Sequence, residues 1–245
     1  MPQAAVSSTT SSVRKIPWYF ITIITFFALP IIYLWRGLKK EDYPAFFQTV
    51  GLVMALGYAW SYLVSAMGWW TFAPECMLGI QVLPHLPLEE VLFYPLGGAL
   101  SVLIYLKLKS LGRFSKRADL AAMLVLAGIT ALAMGLIIYV RVSRGHWAYY
   151  LISQLALFNA LTLVLWWIPR ARFLLGPATV GVLGMTCIGF FWNWLAFTQG
   201  WWAYHATLGW MFPPRVPIDD WNFFLFAPLA AISLYGCLRG KEPAS

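Results

Sequence analysis

The chain has 245 residues, 61% of them hydrophobic, 18% aromatic and only 11% charged. Soluble domains carry about 25% charged residues, so this composition builds no water-facing surface and the chain reads as a membrane protein. Net charge is +8, but the Lys and Arg residues fall between apolar runs, where they meet anionic headgroups and set topology rather than bind nucleic acid.

Residues 1–16 are rich in Ser and Thr, lack apolar periodicity and end in Arg14-Lys15, which reads as a disordered tail. Seven apolar stretches follow at 17–35, 45–67, 88–106, 119–140, 148–168, 174–198 and 218–238, each close to the ~20 residues that cross a bilayer. They lack the alternation of barrel strands, so an all-α membrane protein with seven transmembrane helices is expected. The first run is too long for a signal-peptide h-region and reads as a retained anchor. With the N-terminus outside, twelve Lys and Arg fall on the inner side and five on the outer, which predicts N-out, C-in in a bacterial cytoplasmic membrane. In the fourth helix, Ala127, Ala131 and Gly135 have the spacing of close helix packing. Three scattered cysteines exclude a disulfide scaffold, and Cys187 and Cys237, in apolar runs, are expected to be buried.

The chain repeats itself. Trp60-Ser-Tyr62, Gly68-Trp69-Trp70 and Pro87-Leu-Glu89-Glu90-Val-Leu-Phe93-Tyr94 recur as Trp192-Asn-Trp194, Gly200-Trp201-Trp202 and Pro217-Ile-Asp219-Asp220-Trp-Asn-Phe223-Phe224. The first two pairs are offset by 132 residues and the third by 130, so one loop is shorter. Helices 1–3 then match helices 5–7 as parallel three-helix repeats about an axis along the membrane normal, with helix 4 as the joint. The implied boundaries are 17–107, 108–146 and 147–240, and both acidic motifs land on one membrane face.

Four of the nine acidic residues form the pairs Glu89-Glu90 and Asp219-Asp220 at the entrances of helices 3 and 7. Pro87 and Pro217 suit a first helical turn, and carboxylates there complement the helix dipole. One carboxylate is enough for a cap, yet each helix has two. Neighbours diverge by about 100° on a helix, so one carboxyl of each pair can hold the terminus while the other faces the bundle. Glu90, with Phe93 and Tyr94 at i+3 and i+4, and Asp220, with Phe223 and Phe224, are expected inward. Desolvation against rings and repulsion between carboxyls favour a protonated acid, and a helix N-terminus opposes it. An acid that keeps its proton near neutrality can donate it.

Aromatics are the second signal, with 14 Trp, 12 Tyr and 17 Phe. An interfacial belt explains pairs such as Trp166-Trp167. Trp60, Tyr62, Trp192 and Trp194, at repeat-matched positions within helices, together with Trp70 and Trp202, are expected to wall an apolar cavity. Ring faces beside a strong acid stabilise a carbocation. His85 and His205 precede the acidic motifs and are candidate proton relays. Glu75 reads as a loop residue. No His/Cys spacing fits zinc, no nucleotide motif is present, and helix 7 lacks an interior lysine for retinal.

The stretch Trp70-Thr-Phe-Ala-Pro-Glu75-Cys-Met-Leu-Gly79 through Pro87 to Tyr94, with a weaker copy from Trp202 to Phe224, resembles the membrane-integral lycopene cyclase domain family. There two repeats, fused or separate, each carry Pro-x-Glu-Glu before a Phe pair. Here Asp219-Asp220 replace one Glu pair and Tyr94 replaces a Phe. The resemblance implies cofactor-independent cyclisation of lycopene ends to β-type rings, an intramolecular lyase or isomerase reaction. It implies Glu90 as proton donor and Asp220 as base or charge stabiliser, or the two roles reversed, with Glu89 and Asp219 supporting. The implied partners are a lipophilic carotenoid substrate, the lipid bilayer, and a homo-oligomer or other carotenoid enzymes. The alternatives are a cyclase or hydratase for another isoprenoid chain and a non-catalytic carotenoid-binding subunit. A transporter fits poorly, since few ionisable groups lie within the spans.

Overall fold

The computed structural model describes residues 17–111, 119–168, 175–212 and 216–239; the tail 1–16 and many basic residues of the charge count, among them Arg14, Lys15, Arg113, Arg170 and Arg215, lie outside that set. Among the described residues, seven helices are long and apolar enough to cross a membrane: α1 (Trp18–Trp35), α2 (Lys40–Ala66), α3 (Leu88–Ser110), α4 (Leu124–Arg144), α5 (Tyr149–Trp166), α6 (Gly176–Gln199) and α7 (Asp219–Arg239). Each satisfies its own backbone, as hydrocarbon demands. Three ends differ from the predicted spans, one of them that of α4, which runs past 140 to Arg144. α2 opens with a 3-10 turn, Lys40–Asp42, ahead of Pro44, and α3 runs past 106 to Ser110. Lys107 and Lys109 extend α3 because their cations suit its C-terminal dipole.

α7 is the axis of the bundle, packed against α2, α3, α5 and α6, while α1 lies on α3. Between helices in lipid the hydrophobic drive is weak and close van der Waals packing takes over. Gly57 receives the ring of Tyr94 and Gly189 the ring of Phe224, so closely that a Cβ at either glycine would overlap the ring. The Ala127/Ala131/Gly135 stripe, expected to pack, instead faces outward. Gly135 meets nothing within 4 Å, and α4 turns Leu126, Ala133, Ile137 and Val140 inward. Cys187 is likewise exposed, on the outer face of α6, and Cys237 half-buried; the buried cysteine is Cys76. Two π-helical segments, Ile24–Ala28 in α1 and Leu155–Asn159 in α5, have no periodicity signature in the sequence.

Opposite the acidic motifs, Asp42 is buried and bridges α2 to α7. Its Oδ1 accepts from Tyr235 Oη at 2.8 Å and pairs with Arg239 Nε at 2.5 Å.

Short strands organise the other end. β1 (Trp70–Phe72) pairs antiparallel with β4 (Trp202–Tyr204) in the register Trp70 to Tyr204, Thr71 to Ala203 and Phe72 to Trp202. Flanking bonds run from Ala73 N–H to Trp201 O at 2.8 Å and from His205 N–H to Trp69 O at 2.6 Å. β2 (Gln81–Leu83) pairs with β3 (Leu86–Pro87), and β5 (Met211–Phe212) with β6 (Val216–Pro217). Pro87 therefore ends a strand and caps α3 from outside rather than occupying its first turn. The ladder ties the α2–α3 loop to the α6–α7 loop over the starts of α3 and α7.

Candidate active site

Glu90 and Asp220 both point into the bundle and are buried. Tyr19 Oη, from α1, donates to Glu90 Oε2 at 2.6 Å, and Ser61 Oγ, from α2, to Oε1 at 3.2 Å. Asp220 has the matching pair: Tyr150 Oη, from α5, donates to Oδ1 at 2.9 Å, and Asn193 Nδ2, from α6, to Oδ2 at 2.6 Å. All four partners are buried and none was singled out from sequence. The signal existed: Ser61 and Asn193 directly follow the repeated Trp60 and Trp192, and Tyr19 and Tyr150 occupy equivalent places in α1 and α5.

The outer carboxyls do something other than hold a helix end. Leu78 N–H donates to Glu89 Oε1 at 2.6 Å, and Leu208 N–H to both oxygens of Asp219 at 3.1 and 3.2 Å. No side chain caps α3. The strand ladder brings loop amides over the helix starts, so Glu89 and Asp219 pin the loops that close the site.

Rings from both ends of the chain wall the space between. Trp60 stacks on Phe223, centroids 5.4 Å apart at 11°, and Phe93 on Trp192 at 4.9 Å and 28°. The indoles are fixed by cross-chain bonds, Trp60 Nε1 to Ser153 Oγ and Trp192 Nε1 to Thr22 Oγ1, both 2.9 Å. With Trp70, Trp202 and Phe224 these rings line a narrow chamber between the helices. Tyr204, on β4, lies 4.7 Å from the Tyr150 ring; desolvation, aided by the Asp220 charge, pushes its phenol well above the usual range, which keeps it an O–H donor. Past Phe93, Tyr94, Phe223 and Phe224 an apolar pocket continues down the bundle, lined by Phe27, Leu56, Gly97, Met185 and Ala227 among others.

Two expected wall residues are elsewhere. Tyr62 is 41% exposed on the outer surface, and Trp194 is half-buried against Phe191, centroids 5.6 Å apart. Two residues on a helix span roughly 200°, so turning Trp60 and Trp192 inward turns these outward. His205 Nε2 lies 3.3 Å from Thr71 Oγ1 on the exposed side of the ladder, and Glu75 is an exposed loop residue. Among the described residues no three His, Cys, Asp or Glu side chains converge as metal ligands.

A family model described as lycopene cyclase matches residues 17–108, which contain Tyr19, Ser61, Glu89, Glu90, Phe93 and Tyr94. No curated protein and no solved structure matches the chain. The match spans 92 of the 245 residues, so this part of the chain is similar to the lycopene cyclase family, in a chain whose described residues include seven helices long and apolar enough to cross a membrane.

Proposed function

We propose that the protein is a lycopene β-cyclase that works without a cofactor, by protonating one ψ-end of lycopene. The observation that carries this reading is a buried carboxyl, Glu90, held by Tyr19 and Ser61 one helical turn from Phe93, a ring that lines the chamber with Trp60, Trp192 and Phe223. Glu90 as a carboxylic acid gives its proton to the terminal trisubstituted alkene, leaving a tertiary cation. The neighbouring double bond attacks that cation and closes a six-membered ring. Asp220 as a carboxylate removes a proton from the ring cation, which sets the β-type alkene, so the sum is an isomerisation.

Hydrogen-bond chemistry supports this division of labour. Both partners of Glu90 are hydroxyls, which accept as well as donate, so a protonated Glu90 keeps its O–H bonded until the alkene arrives. Asp220 Oδ2 faces an amide N–H, which only donates and therefore suits a carboxylate. The faces of Trp60, Phe93, Trp192 and Phe223 would each stabilise the cation by up to ~2 kcal/mol in a dry chamber. The apolar cavity beyond Tyr94 and Phe224 holds the rest of the polyene. With both carboxyls at one end of the bundle, the chain offers one end at a time, and a second ring requires it to turn around.

The site also supports two parallel repeats, 17–107 and 147–240, joined by 108–146, with N-out, C-in topology from the charge count. The contacts are matched in pairs: Tyr19 to Glu90 with Tyr150 to Asp220, Leu78 to Glu89 with Leu208 to Asp219, and Gly57 under Tyr94 with Gly189 under Phe224.

Expression of the full chain in lycopene-accumulating cells, followed by pigment chromatography, tests the reading. New monocyclic or bicyclic carotenes support it; unchanged lycopene with the protein present in the membrane overturns it.

A further inference from the structure

Another cavity, about 700 Å³ including its mouth, opens at the motif end of the bundle beneath the α2–α3 loop; its lining includes Ser65, Trp70, Met77, Gln81, His85 and Pro87. Unlike the substrate cavity it has a polar wall. Two of its polar atoms, Ser65 Oγ and Trp70 Nε1, are buried and make no hydrogen bond to the described residues. Buried polar groups are almost always satisfied, and in a roomy polar cavity ordered water is what satisfies them. Glu89 Oε2 is a further buried atom with no partner among the described residues, and the loop amide bound to its other oxygen, Leu78 N–H, lies between the lining residues Met77 and Gly79.

This cavity reaches to within one helical turn of a hydrogen-bond partner of the proposed proton donor. Ser65 is one helical turn from Ser61 on the same face of α2, and Ser61 Oγ donates to Glu90 Oε1 at 3.2 Å. At the matched place in α6 the chain has Phe197, whose ring packs on Tyr204 at 5.4 Å. A hydroxyl thus occupies the position in α2 whose match in α6 is an aromatic ring.

The reaction creates a need for such a passage. Each ring formed leaves Glu90 ionised and Asp220 protonated, so the enzyme must be reset. We propose that this cavity is a water-filled antechamber that returns a proton from the aqueous phase to Glu90 by way of Ser65 and Ser61. One proton enters at the Glu90 carboxylate and one leaves the Asp220 carboxylic acid to water for every ring, so the balance is zero and no other reactant is used. The inference rests on the reading of Glu90 as the proton donor.

The test uses the full chain in lycopene-loaded vesicles prepared in D2O. Wild type is expected to place one deuterium in each ring. Ser65→Leu, which removes the hydroxyl and fills the passage, is expected to cut the steady-state rate by about tenfold or more while slowing the first turnover far less, and Ser65→Thr to restore most of the loss. Gln81→Trp, a plug at the exposed mouth, is expected to act in the same direction without disturbing the bundle interior. Ring products from wild type that carry no deuterium, or both plugged variants cycling at the wild-type steady-state rate, overturn the antechamber and leave the cyclase reading intact. Failure of wild type to form any ring overturns both.

Discussion

The surroundings of Glu90 and Asp220 share a scaffold and differ in chemistry. Each carboxyl receives a phenol from one helix and a second donor from the residue after a buried tryptophan. At the matched positions, however, Ser61, Ser65 and Tyr94 on the Glu90 side stand opposite Asn193, Phe197 and Phe224 on the Asp220 side. Both sites hold a phenol, but the second partner is a hydroxyl at Glu90, which accepts as well as donates, and an amide N–H, which only donates, at Asp220. On the proposed reading, this difference in neighbours is what makes Glu90 the acid and Asp220 the base.

Breaking the comparison at the carboxyls has the largest expected effect. Glu90→Gln removes the transferable proton and is expected to lower ring formation by about 10³-fold or more, with the protein still in the membrane, measured by pigment chromatography. Asp220→Asn should cost less, roughly 10²-fold, and should change the products as well as the rate, because a ring cation without its base collects misplaced double bonds or water. Mass spectrometry of the pigments checks the second outcome.

Exchanging the second donors sharpens the comparison. Ser61→Asn gives Glu90 the amide N–H partner of Asp220 and is expected to slow cyclisation by about tenfold, whereas Asn193→Ser should cost only a few fold. Equal losses in initial rate would show that the two partners are interchangeable. Tyr19→Phe and Tyr150→Phe each delete one hydrogen bond to a carboxyl, about 1.5 kcal/mol and so roughly tenfold in rate, with Tyr19→Phe the more harmful if proton donation limits turnover. The smallest effects are on stability: Gly57→Ala and Gly189→Ala force a methyl into the Tyr94 and Phe224 rings and are expected to destabilise by about 1–3 kcal/mol, read from thermal inactivation in detergent.

Much of this was legible in the sequence because lipid imposes simple rules. Length and apolarity located seven spans, and a 100° step per residue separated Glu90 from Glu89 and Asp220 from Asp219. The same geometry, applied to Trp60 and Trp192, would have sent Tyr62 and Trp194 outward, since a residue pair two apart cannot share a helix face. Tyr19, Tyr150, Ser61 and Asn193 stayed hidden because a hydroxyl or amide in an apolar run carries no pattern of its own; its meaning comes from a carboxyl on another helix. The strand ladder was hidden for a related reason, since β1 and β4 are each three residues long and pair across 132 positions of sequence. The π-helical segments of α1 and α5, in which Tyr19 and Tyr150 lie a turn upstream, shift the helix faces by an amount that no 3.6-residue period anticipates.

The most direct test of the central claim is initial-rate cyclisation by purified protein in vesicles loaded with lycopene and given no added cofactor, comparing wild type with Glu90→Gln at equal protein. The account predicts cyclic carotenes from wild type and none above background from the variant. Equal ring formation by both would contradict Glu90 as the source of the proton.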